Sequence, residues 1–394
     1  MQKLPSLRTA QLGGRRAFVR VDFNVPIENG RITDDRRIRS ALPTIRYLLE
    51  SGAAVILCSH LGRPKDGQPD PKYSLEPVRA HLATLLEKPI GWIPDPFKPQ
   101  TIAPGEVYLM ENIRFFAGET KNDSELARAL AQWADVYVND AFGSLHRAHA
   151  SVDALPRLMR EKYAGFLVEA EWENAQRVLT HIERPYLVVV GGAKVSDKLP
   201  LLHNLLPKLD RLLIGGGMSY TFLHAMGLPI GKSLLEPDQV EAARAILAQA
   251  EAEGKKVLLP SDSVAATEFR ADAPARTFPH AEGAFPTEYM GLDIGPATIR
   301  AAASFIAGSR TILWNGPMGV FEWEAFRQGT VKIAEYIAAE TAQGAYSLVG
   351  GGDTAAAAEV AGVAHKVSFI STGGGALLEL LAGKTLPGIA ALLS

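Results

Sequence analysis

Arginine and histidine residues recur directly after short apolar runs in the first half of the chain. Four such runs, at 17–21, 53–58, 107–110 and 136–138, are each followed by a polar segment. The cationic residues at these positions, with one arginine opening the next helical stretch, are Arg37, His60, Arg63, Arg114 and Arg147. A guanidinium group binds phosphate or carboxylate through two parallel charge-assisted hydrogen bonds. The residue types therefore predict a small ligand that carries several negative charges.

Glycine clusters occupy the corresponding positions in the second half, at 191–192, 215–217, 316–319, 350–352 and 373–375. Glycine lets the backbone approach a phosphate closely, and the start of a helix offers free N–H groups and a positive dipole end. Lys194 and Lys198 would share one helical face if a helix follows Gly192. Asp353 is a candidate carboxylate for Mg²⁺, which usually takes one or two protein carboxylates plus phosphate oxygens. This half therefore predicts a nucleotide site.

Each feature also has an ordinary structural explanation. A single arginine is more often solvated or ion-paired, and one Gly-Gly pair can be a tight turn. The coincidence of several at strand ends favours ligand binding, because ligands lie outside the carboxyl ends of parallel strands. Residues 227–233 resemble the end of a P-loop, but Met226 replaces its first glycine. Residues 350–355 fit the dinucleotide pattern G-x-G-x-x-A without the acidic residue expected about 20 positions later, which weakens an oxidoreductase interpretation but leaves it open.

Composition excludes several classes of protein. The chain has 394 residues with 41 basic and 43 acidic side chains, a formal net charge of −2, so its surface is not built to hold nucleic acid or anionic lipid. The single cysteine, Cys58, excludes a disulfide framework and cysteine-rich zinc sites. No apolar stretch approaches the roughly 20 residues of a membrane span, and no signal-peptide core follows residue 5. We therefore expect a cytoplasmic protein.

Alternating apolar runs and helical periods predict an α/β protein with mostly parallel sheets. The second-half runs are 186–190, 211–214, 257–259, 311–314, 347–349 and 367–370. The length favours two domains, because one core stops growing beyond about 250–300 residues. Apolar residues at helical spacing predict one long helix over 166–184, stopped by Pro185, as the domain boundary.

An anion-binding domain joined to a nucleotide-binding domain predicts phosphoryl transfer between the two ligands. Such transfer depends on positioning and charge neutralisation by Arg, Lys, magnesium and backbone amides. A carboxylate acceptor would already be ionised and would need no general base. The acyl phosphate product hydrolyses readily, so we expect the two halves to close over the reactants.

The sequence resembles the phosphoglycerate kinase family over nearly its full length. The stretches that carry the resemblance are 19–26, 59–64, 140–143 with 146–149, 314–322 and 371–375. The resemblance implies reversible transfer between ATP and the carboxylate of 3-phosphoglycerate, giving 1,3-bisphosphoglycerate and ADP, in a hinge-bending monomer of glycolysis. It implies two doubly wound, Rossmann-like domains: 1–168 with 375–394 for phosphoglycerate, 186–374 for nucleotide, and an interdomain helix at 169–185.

The resemblance also implies roles for individual residues. The residues expected at the phosphoglycerate are Asp22, Phe23, Asn24, Arg37, His60, Leu61, Gly62, Arg63, Arg114 and Arg147. Those expected to stabilise the group in transfer are Arg37, Lys194, Lys198, Gly352 and Gly374. Those expected at the nucleotide are Lys198, Asn315, Glu322, Gly351, Gly352, Asp353 and Thr354, with Asp353 holding magnesium.

Four positions depart from the family pattern, at Ser144, Leu145, Ser219 and Leu377. We expect them to change packing rather than a charged contact. Two other interpretations remain open: an NAD-linked oxidoreductase, and a two-lobed binding protein for phosphorylated metabolites.

Overall fold

A computed structural model describes residues 2–394. Contacts within the chain divide it into two compact units. The first ends at Glu173 and also takes in Thr385–Ser394, and the second is Asn174–Lys384. The last ten residues therefore belong to the first unit.

The first unit is built on one sheet of six parallel strands in the order β5-β6-β4-β1-β7-β8. Val19, Val55, Leu57 and Val138 on these strands are fully buried, as is expected of a parallel sheet covered on both faces. Its strands and helices are β1 (Arg16–Arg20), β2 (Ile27–Glu28), β3 (Arg31–Ile32), α1 (Arg36–Glu50), β4 (Ala54–Cys58), α2 (Glu76–Leu86), β5 (Ile90–Ile93), β6 (Val107–Met110), α3 (Ser124–Ala131), β7 (Val136–Asn139), α4 (Leu155–Leu158) and β8 (Lys162–Ala164).

The second unit has a parallel sheet in the order β11-β10-β9-β15-β16-β17 and an antiparallel sheet in the order β13-β12-β14. Its elements are β9 (Tyr186–Val190), α6 (Val195–Leu205), β10 (Arg211–Ile214), α7 (Ser219–Ala225), α8 (Val240–Ala252), β11 (Lys256–Leu258), β12 (Asp262–Ala266), β13 (Arg276–Pro279), β14 (Met290–Ile294), α9 (Pro296–Ile306), β15 (Thr311–Asn315), α10 (Gln328–Ala342), β16 (Tyr346–Val349), α11 (Gly352–Val360), β17 (Phe369–Ile370) and α12 (Gly374–Leu381). Helix α5 (Phe166–Leu179) crosses from the first unit to the second, and α13 (Pro387–Leu393) lies in the first.

The predicted α/β class with parallel sheets is confirmed, and every predicted apolar run overlaps a strand of one of the two parallel sheets. Strands β5 and β8 were missed because a glycine interrupts the first and the second is only Lys-Tyr-Ala. The antiparallel sheet was also missed. Among residues 2–394, no helix is long and apolar enough to cross a membrane.

The helix predicted over 166–184 is shorter in the structure and ends at Leu179. The backbone N–H groups of Thr180 and His181 both bond to the carbonyl of Gln176, which closes the last turn. Glu183 then exchanges two hydrogen bonds with the Thr311 hydroxyl at the start of β15. These contacts lead the chain out of the helix before Pro185 is reached.

A buried carboxylate joins two elements of the second unit. Asp293 in β14 accepts hydrogen bonds from the N–H groups of Gly329, in the first turn of α10, and Ile294, at 2.8 and 2.9 Å. Burial raises the pKa of Asp293 to about 8, although these two bonds favour the charged form. The first turn of α10 is therefore fixed to β14 by an acid that is largely protonated at neutral pH.

Replacing Asp293 by asparagine should change how stability depends on pH. The raised pKa in the folded state means that the stabilisation from Asp293 is complete below pH 4 and is lost as pH rises towards 8. Urea unfolding of wild type and Asp293→Asn between pH 4 and 9 should show the wild type losing stability relative to the variant across this range. A difference in unfolding free energy that stays constant with pH would contradict the assignment.

Candidate functional site

The loops that follow β4, β1 and β7 meet at one edge of the first sheet because these strands are neighbours in a parallel sheet. Side-chain hydrogen bonds hold the first two loops together. Asp22 accepts two bonds from the guanidinium of Arg37, both at 3.1 Å. Asn24 accepts from the backbone N–H of Gly62 at 2.9 Å, and the Gly62 carbonyl accepts from Arg114 at 2.8 Å.

Cationic side chains from several loops lie close enough to influence one another. We call Arg20, Arg37, His60, Arg63, Arg114, Arg147 and His149 the cationic cluster. Burial together with Arg20, Arg147 and Arg63 lowers the pKa of Arg114 to about 10, with Glu119 opposing. Burial and the neighbouring arginines lower the pKa of His149 to about 4. Asp22 and Glu119 balance only part of this positive charge, so the cluster attracts a multiply charged anion.

The orientation of His60 is set by Arg20, which is 1% exposed. Arg20 Nη2 lies 3.0 Å from His60 Nδ1. Because a guanidinium can only donate, Nδ1 must accept, and the ring is then neutral with its proton on Nε2. Burial and four nearby cationic or imidazole groups lower the pKa of His60 well below its ordinary value, which agrees with a neutral ring. His60 can therefore donate from Nε2 to an anion.

A buried chain of hydrogen bonds compensates the charge of Arg20. Its Nε donates to the Ser151 hydroxyl at 2.8 Å, and this hydroxyl donates to Glu119 Oε2 at 2.7 Å. Glu119 Oε1 accepts from the backbone N–H of Ser151 at 2.6 Å. Neither Arg20 nor Glu119 was selected as a candidate site residue from the sequence. The available signal was a charged residue inside the apolar run 17–21, where both sheet faces are covered.

The predicted anion-site residues take different positions. Arg37, Arg63 and Arg147 are exposed, whereas His60 is 8% exposed and Arg114 is half-buried. Phe23 and Leu61 are buried in the core, and their backbone N–H groups donate to the Ser59 hydroxyl and to Asn112 Oδ1. The backbone N–H and carbonyl of Gly62 are both engaged with neighbouring loops. The predicted convergence of cations is thus present in the structure of the first unit.

In the second unit, three of the five glycine clusters pack against one another. The N–H of Gly192 donates to Pro317, that of Gly216 to Met318, and that of Met218 to Gly192. A Cβ at Gly216 or Gly316 would overlap the backbone at 191–192, and both residues have positive φ. Glycine is required at these two positions by contact between loops and by the positive φ.

The remaining two clusters each contain an open position, although a Cβ at Gly350 would overlap Leu377. A Cβ at Gly352 or Gly374 would have no neighbour within 4 Å. These residues begin α11 and α12, whose N-cap residues Gly351 and Gly373 have no side chain that could cap the helix. The start of α6 differs, because Glu236 accepts from the N–H groups of Val195 and Ser196. The structure therefore leaves α11 and α12, rather than α6, with helix starts accessible to an anion.

The predicted helical face with both lysines is wrong, since Lys194 is the N-cap residue and α6 begins at Val195. Lys198 lies on α6 and donates to Asn315 Oδ1, while Asn315 Nδ2 donates to the Gly350 carbonyl at 2.7 Å. Burial lowers the pKa of Lys198, and the carboxylates of Asp197 and Asp353 oppose this shift. Lys198, Asn315 and the start of α11 are thus joined in one network.

The other predicted nucleotide residues flank this network. Asp353 is exposed in the first turn of α11, and Glu322 is exposed in the loop after β15. Thr354 is buried, and its hydroxyl accepts from the N–H of Gly316 at 2.8 Å. No helix begins directly after Lys232, so residues 227–233 lack the helix that follows the glycine-rich loop of a P-loop.

The four departures from the family pattern lie in packed positions. Ser144, Leu145, Ser219 and Leu377 are all buried, and the Ser219 hydroxyl donates to the Gly216 carbonyl at 2.6 Å. Leu145 packs beside Gly388 of α13, and Leu377 beside Gly350. None of them replaces a charged contact.

Comparison with known proteins decides between the interpretations left open by the sequence. A family model described as phosphoglycerate kinase matches residues 7–384. The chain belongs to the phosphoglycerate kinase family. It is 52% identical to the phosphoglycerate kinase of Moorella thermoacetica, over 100% of this chain and 99% of the relative, and 50% identical to that of Thermosipho africanus, over 100% and 98%.

Solved structures of phosphoglycerate kinases have the same fold. The structure from Coxiella burnetii matches with a TM-score of 0.94 and 42% identity, covering 99% of both chains. The structure from Pyrococcus horikoshii matches with a TM-score of 0.79 and 32% identity, covering 99% of this chain and 98% of the other. The predicted family, fold and enzyme class, a kinase, are confirmed. The oxidoreductase and binding-protein alternatives receive no support.

Removing the charge of Arg20 alone should lower the stability of the protein more than removing the charges of Arg20 and Glu119 together. Arg20→Met leaves the Glu119 carboxylate buried without its cation, which should cost about 3–5 kcal/mol of unfolding free energy. Arg20→Met combined with Glu119→Gln should recover part of this loss, because no charge remains buried. Urea denaturation of wild type, both single variants and the double variant measures the coupling, and equal stability of Arg20→Met and the double variant would contradict it.

The two kinds of glycine should respond differently to alanine. Gly352→Ala should leave stability unchanged, because its Cβ meets nothing, but should raise the Michaelis constant for ATP about tenfold by crowding a phosphate at α11. Gly316→Ala should lower stability by about 2 kcal/mol or more, through its positive φ and backbone overlap. Thermal unfolding and steady-state kinetics separate the two effects, and a normal ATP constant in Gly352→Ala would remove that position from the site.

Proposed function

We propose that this chain catalyses the reversible transfer of a phosphoryl group between ATP and the carboxylate of 3-phosphoglycerate, forming 1,3-bisphosphoglycerate and ADP in glycolysis. The observation that carries the proposal is the family match over residues 7–384. It agrees with a cationic cluster in one unit and with open glycine positions at two helix starts in the other.

The first unit would hold the phosphoglycerate. Its phosphate and carboxylate carry several negative charges, which matches the cationic cluster in sign and in hydrogen-bonding capacity. His60 would donate from Nε2 as a neutral ring, because Arg20 occupies Nδ1. The residues proposed to hold this ligand are Asp22, Asn24, His60, Arg63, Arg114 and Arg147, with Arg37 directed to the carboxylate.

The second unit would hold the nucleotide phosphates at the start of α11. Residues 351–354 offer backbone N–H groups, Lys198 offers a cation, and Asn315 positions that lysine through its side-chain oxygen. Glu322 is proposed to accept hydrogen bonds from the ribose hydroxyls. Asn315 and Thr354 are buried, and the Thr354 hydroxyl accepts from the N–H of Gly316. Gly352, Asp353 and Glu322 are exposed.

A magnesium ion fits the donor set at α11. Among residues 2–394, no group of three or more His, Cys, Asp or Glu side chains could enclose a metal. A single exposed carboxylate, Asp353, next to a phosphate site suits Mg²⁺, because this ion keeps several waters and takes its other ligands from phosphates. When bound, the ion would neutralise charge on the phosphate oxygens.

The chemistry needs no general base. A carboxylate oxygen of 3-phosphoglycerate attacks the γ-phosphorus, the new oxygen–phosphorus bond forms, and the bond to the bridging oxygen of ADP breaks without any proton transfer. Arg37, Lys194, Lys198 and the backbone N–H groups of Gly352 and Gly374 are proposed to stabilise the negative charge in transit. Because the product is hydrolysed by water, closure of the two units over the reactants is part of the proposal. We propose a monomer acting in the cytoplasm, where these metabolites occur.

A coupled assay of 3-phosphoglycerate phosphorylation tests the proposed function. Purified protein with ATP, magnesium and 3-phosphoglycerate should consume ATP, and omission of 3-phosphoglycerate should abolish this consumption. Quenching of NADH fluorescence serves as the control for nicotinamide binding and should be absent. No turnover with both substrates and magnesium present would reject the proposal.

Two arginines should affect different kinetic constants. Arg37→Ala should lower kcat by about 10²–10³ with a smaller effect on substrate binding, because it acts on charge that moves during transfer. Arg147→Ala should mainly raise the Michaelis constant for 3-phosphoglycerate, by about tenfold. Steady-state kinetics with each substrate varied measures both, and an unchanged constant in Arg147→Ala would place that residue outside the site.

A further inference from the structure

The loop 316–327 carries Glu322 between β15 and α10, and its ends are held differently from its middle. At one end, the N–H of Met318 donates to the Thr330 hydroxyl at 3.0 Å, and that of Val320 donates to the Leu292 carbonyl at 2.9 Å. At the other end, α10 is fixed to β14 by Asp293. Glu322 itself lies exposed between these two anchors.

Arg327 reaches back from the start of α10 to the middle of this loop. Its Nε donates to the carbonyl of Phe321 at 3.1 Å, and its Nη2 donates to the carbonyl of Glu322 at 3.0 Å. Arg327 is the N-cap residue of α10, and its own carbonyl accepts from the N–H of Val331 at 3.0 Å. The guanidinium therefore extends from a fixed backbone and donates hydrogen bonds to the carbonyls of two consecutive peptide units.

Two consecutive carbonyls held by one planar group fix the direction of the residue between them. The peptide planes on both sides of Glu322 determine where its Cα–Cβ bond points, and the Glu322 carbonyl receives its hydrogen bond from Arg327. Phe321, the residue before Glu322, is buried, so its own position is fixed by packing. Arg327 thus restricts the remaining freedom of the Glu322 backbone.

We propose that Arg327 is a positioning residue that aims the Glu322 carboxylate at the ribose hydroxyls of the bound nucleotide. The inference rests on the proposed function, because Glu322 has this role only if ATP binds at α11. Arg327 acts through Glu322 and touches no part of the nucleotide. It contributes to nucleotide affinity only when the sugar carries hydroxyl groups.

Kinetics with ATP and with 2′,3′-dideoxy-ATP test the proposal. In Arg327→Gln, the Michaelis constant for ATP should rise about three- to tenfold with kcat unchanged, since a loosened Glu322 loses part of its contact. The constant for dideoxy-ATP should stay within about twofold of the wild-type value, because this nucleotide offers Glu322 no hydroxyl. Arg327→Lys should give an intermediate result, because an ammonium group is a point donor without the planar fork.

Coupling to Glu322 separates positioning from a general loss of structure. In a Glu322→Gln background, Arg327→Gln should add little to the ATP constant, since the two changes act on one contact. Arg244→Gln on α8 is the matched control, as it removes the same charge from an exposed arginine of the second unit and should change neither constant. Thermal unfolding of each variant accompanies the kinetics.

Several results would overturn the inference. If the Michaelis constants for ATP and dideoxy-ATP rose equally in both Arg327→Gln and Arg327→Lys, Arg327 would act directly on the nucleotide or on the structure in general. If the Michaelis constant for ATP did not change, Arg327 would have no role in nucleotide binding. Additive effects of Arg327→Gln and Glu322→Gln would remove the link between the two residues. If the wild-type protein had equal Michaelis constants for ATP and dideoxy-ATP, the ribose contact would be refuted while the proposed function stayed intact. If the wild-type protein did not turn over ATP, the proposed function itself would be refuted.

Discussion

The shared direction of the strands in each parallel sheet is the constraint on which the candidate sites depend. Parallel strands bring every following loop to the same edge of the sheet, so loops far apart in sequence become neighbours. In the first sheet the central order β6-β4-β1-β7 brings together loops that carry Arg114, His60, Asp22 and Arg147. The helices that begin after such loops supply further groups, such as Arg37 on α1 and Lys198 on α6.

The two units hold their loops in different ways. In the first, side chains do so: Asn24, Asn112 and Ser151 bridge neighbouring backbone segments and charged groups. In the second, backbone groups at Gly192, Gly216 and Met318 bond directly to one another. Side-chain bridges allow a cationic pocket to be assembled from many residue types, whereas backbone contact demands residues without a Cβ.

The sequence was sufficient to predict most of the parallel strands and the clustering of cations, because both follow from apolar runs and from the residues that come directly after them. It could not predict the role of Arg20. That role comes from a series of hydrogen bonds through Ser151 to Glu119, which forms only when the protein folds. The glycine clusters illustrate the same limit. Gly316 and Gly352 look alike in sequence, yet one contacts a neighbouring loop and the other faces open space. Similarly, helical periodicity continued past Leu179, where hydrogen bonds to Gln176 and Thr311 ended the helix.

The interlocked glycine loops have a consequence for how this enzyme could be altered. Any side chain at Gly216 or Gly316 would displace neighbouring main chain. These glycine loops therefore offer few sites at which evolution or engineering could introduce new side chains. Changes in nucleotide preference would have to come from exposed positions such as Glu322. Because the glycine loops cannot accept side chains, adaptation is confined to the exposed residues around them.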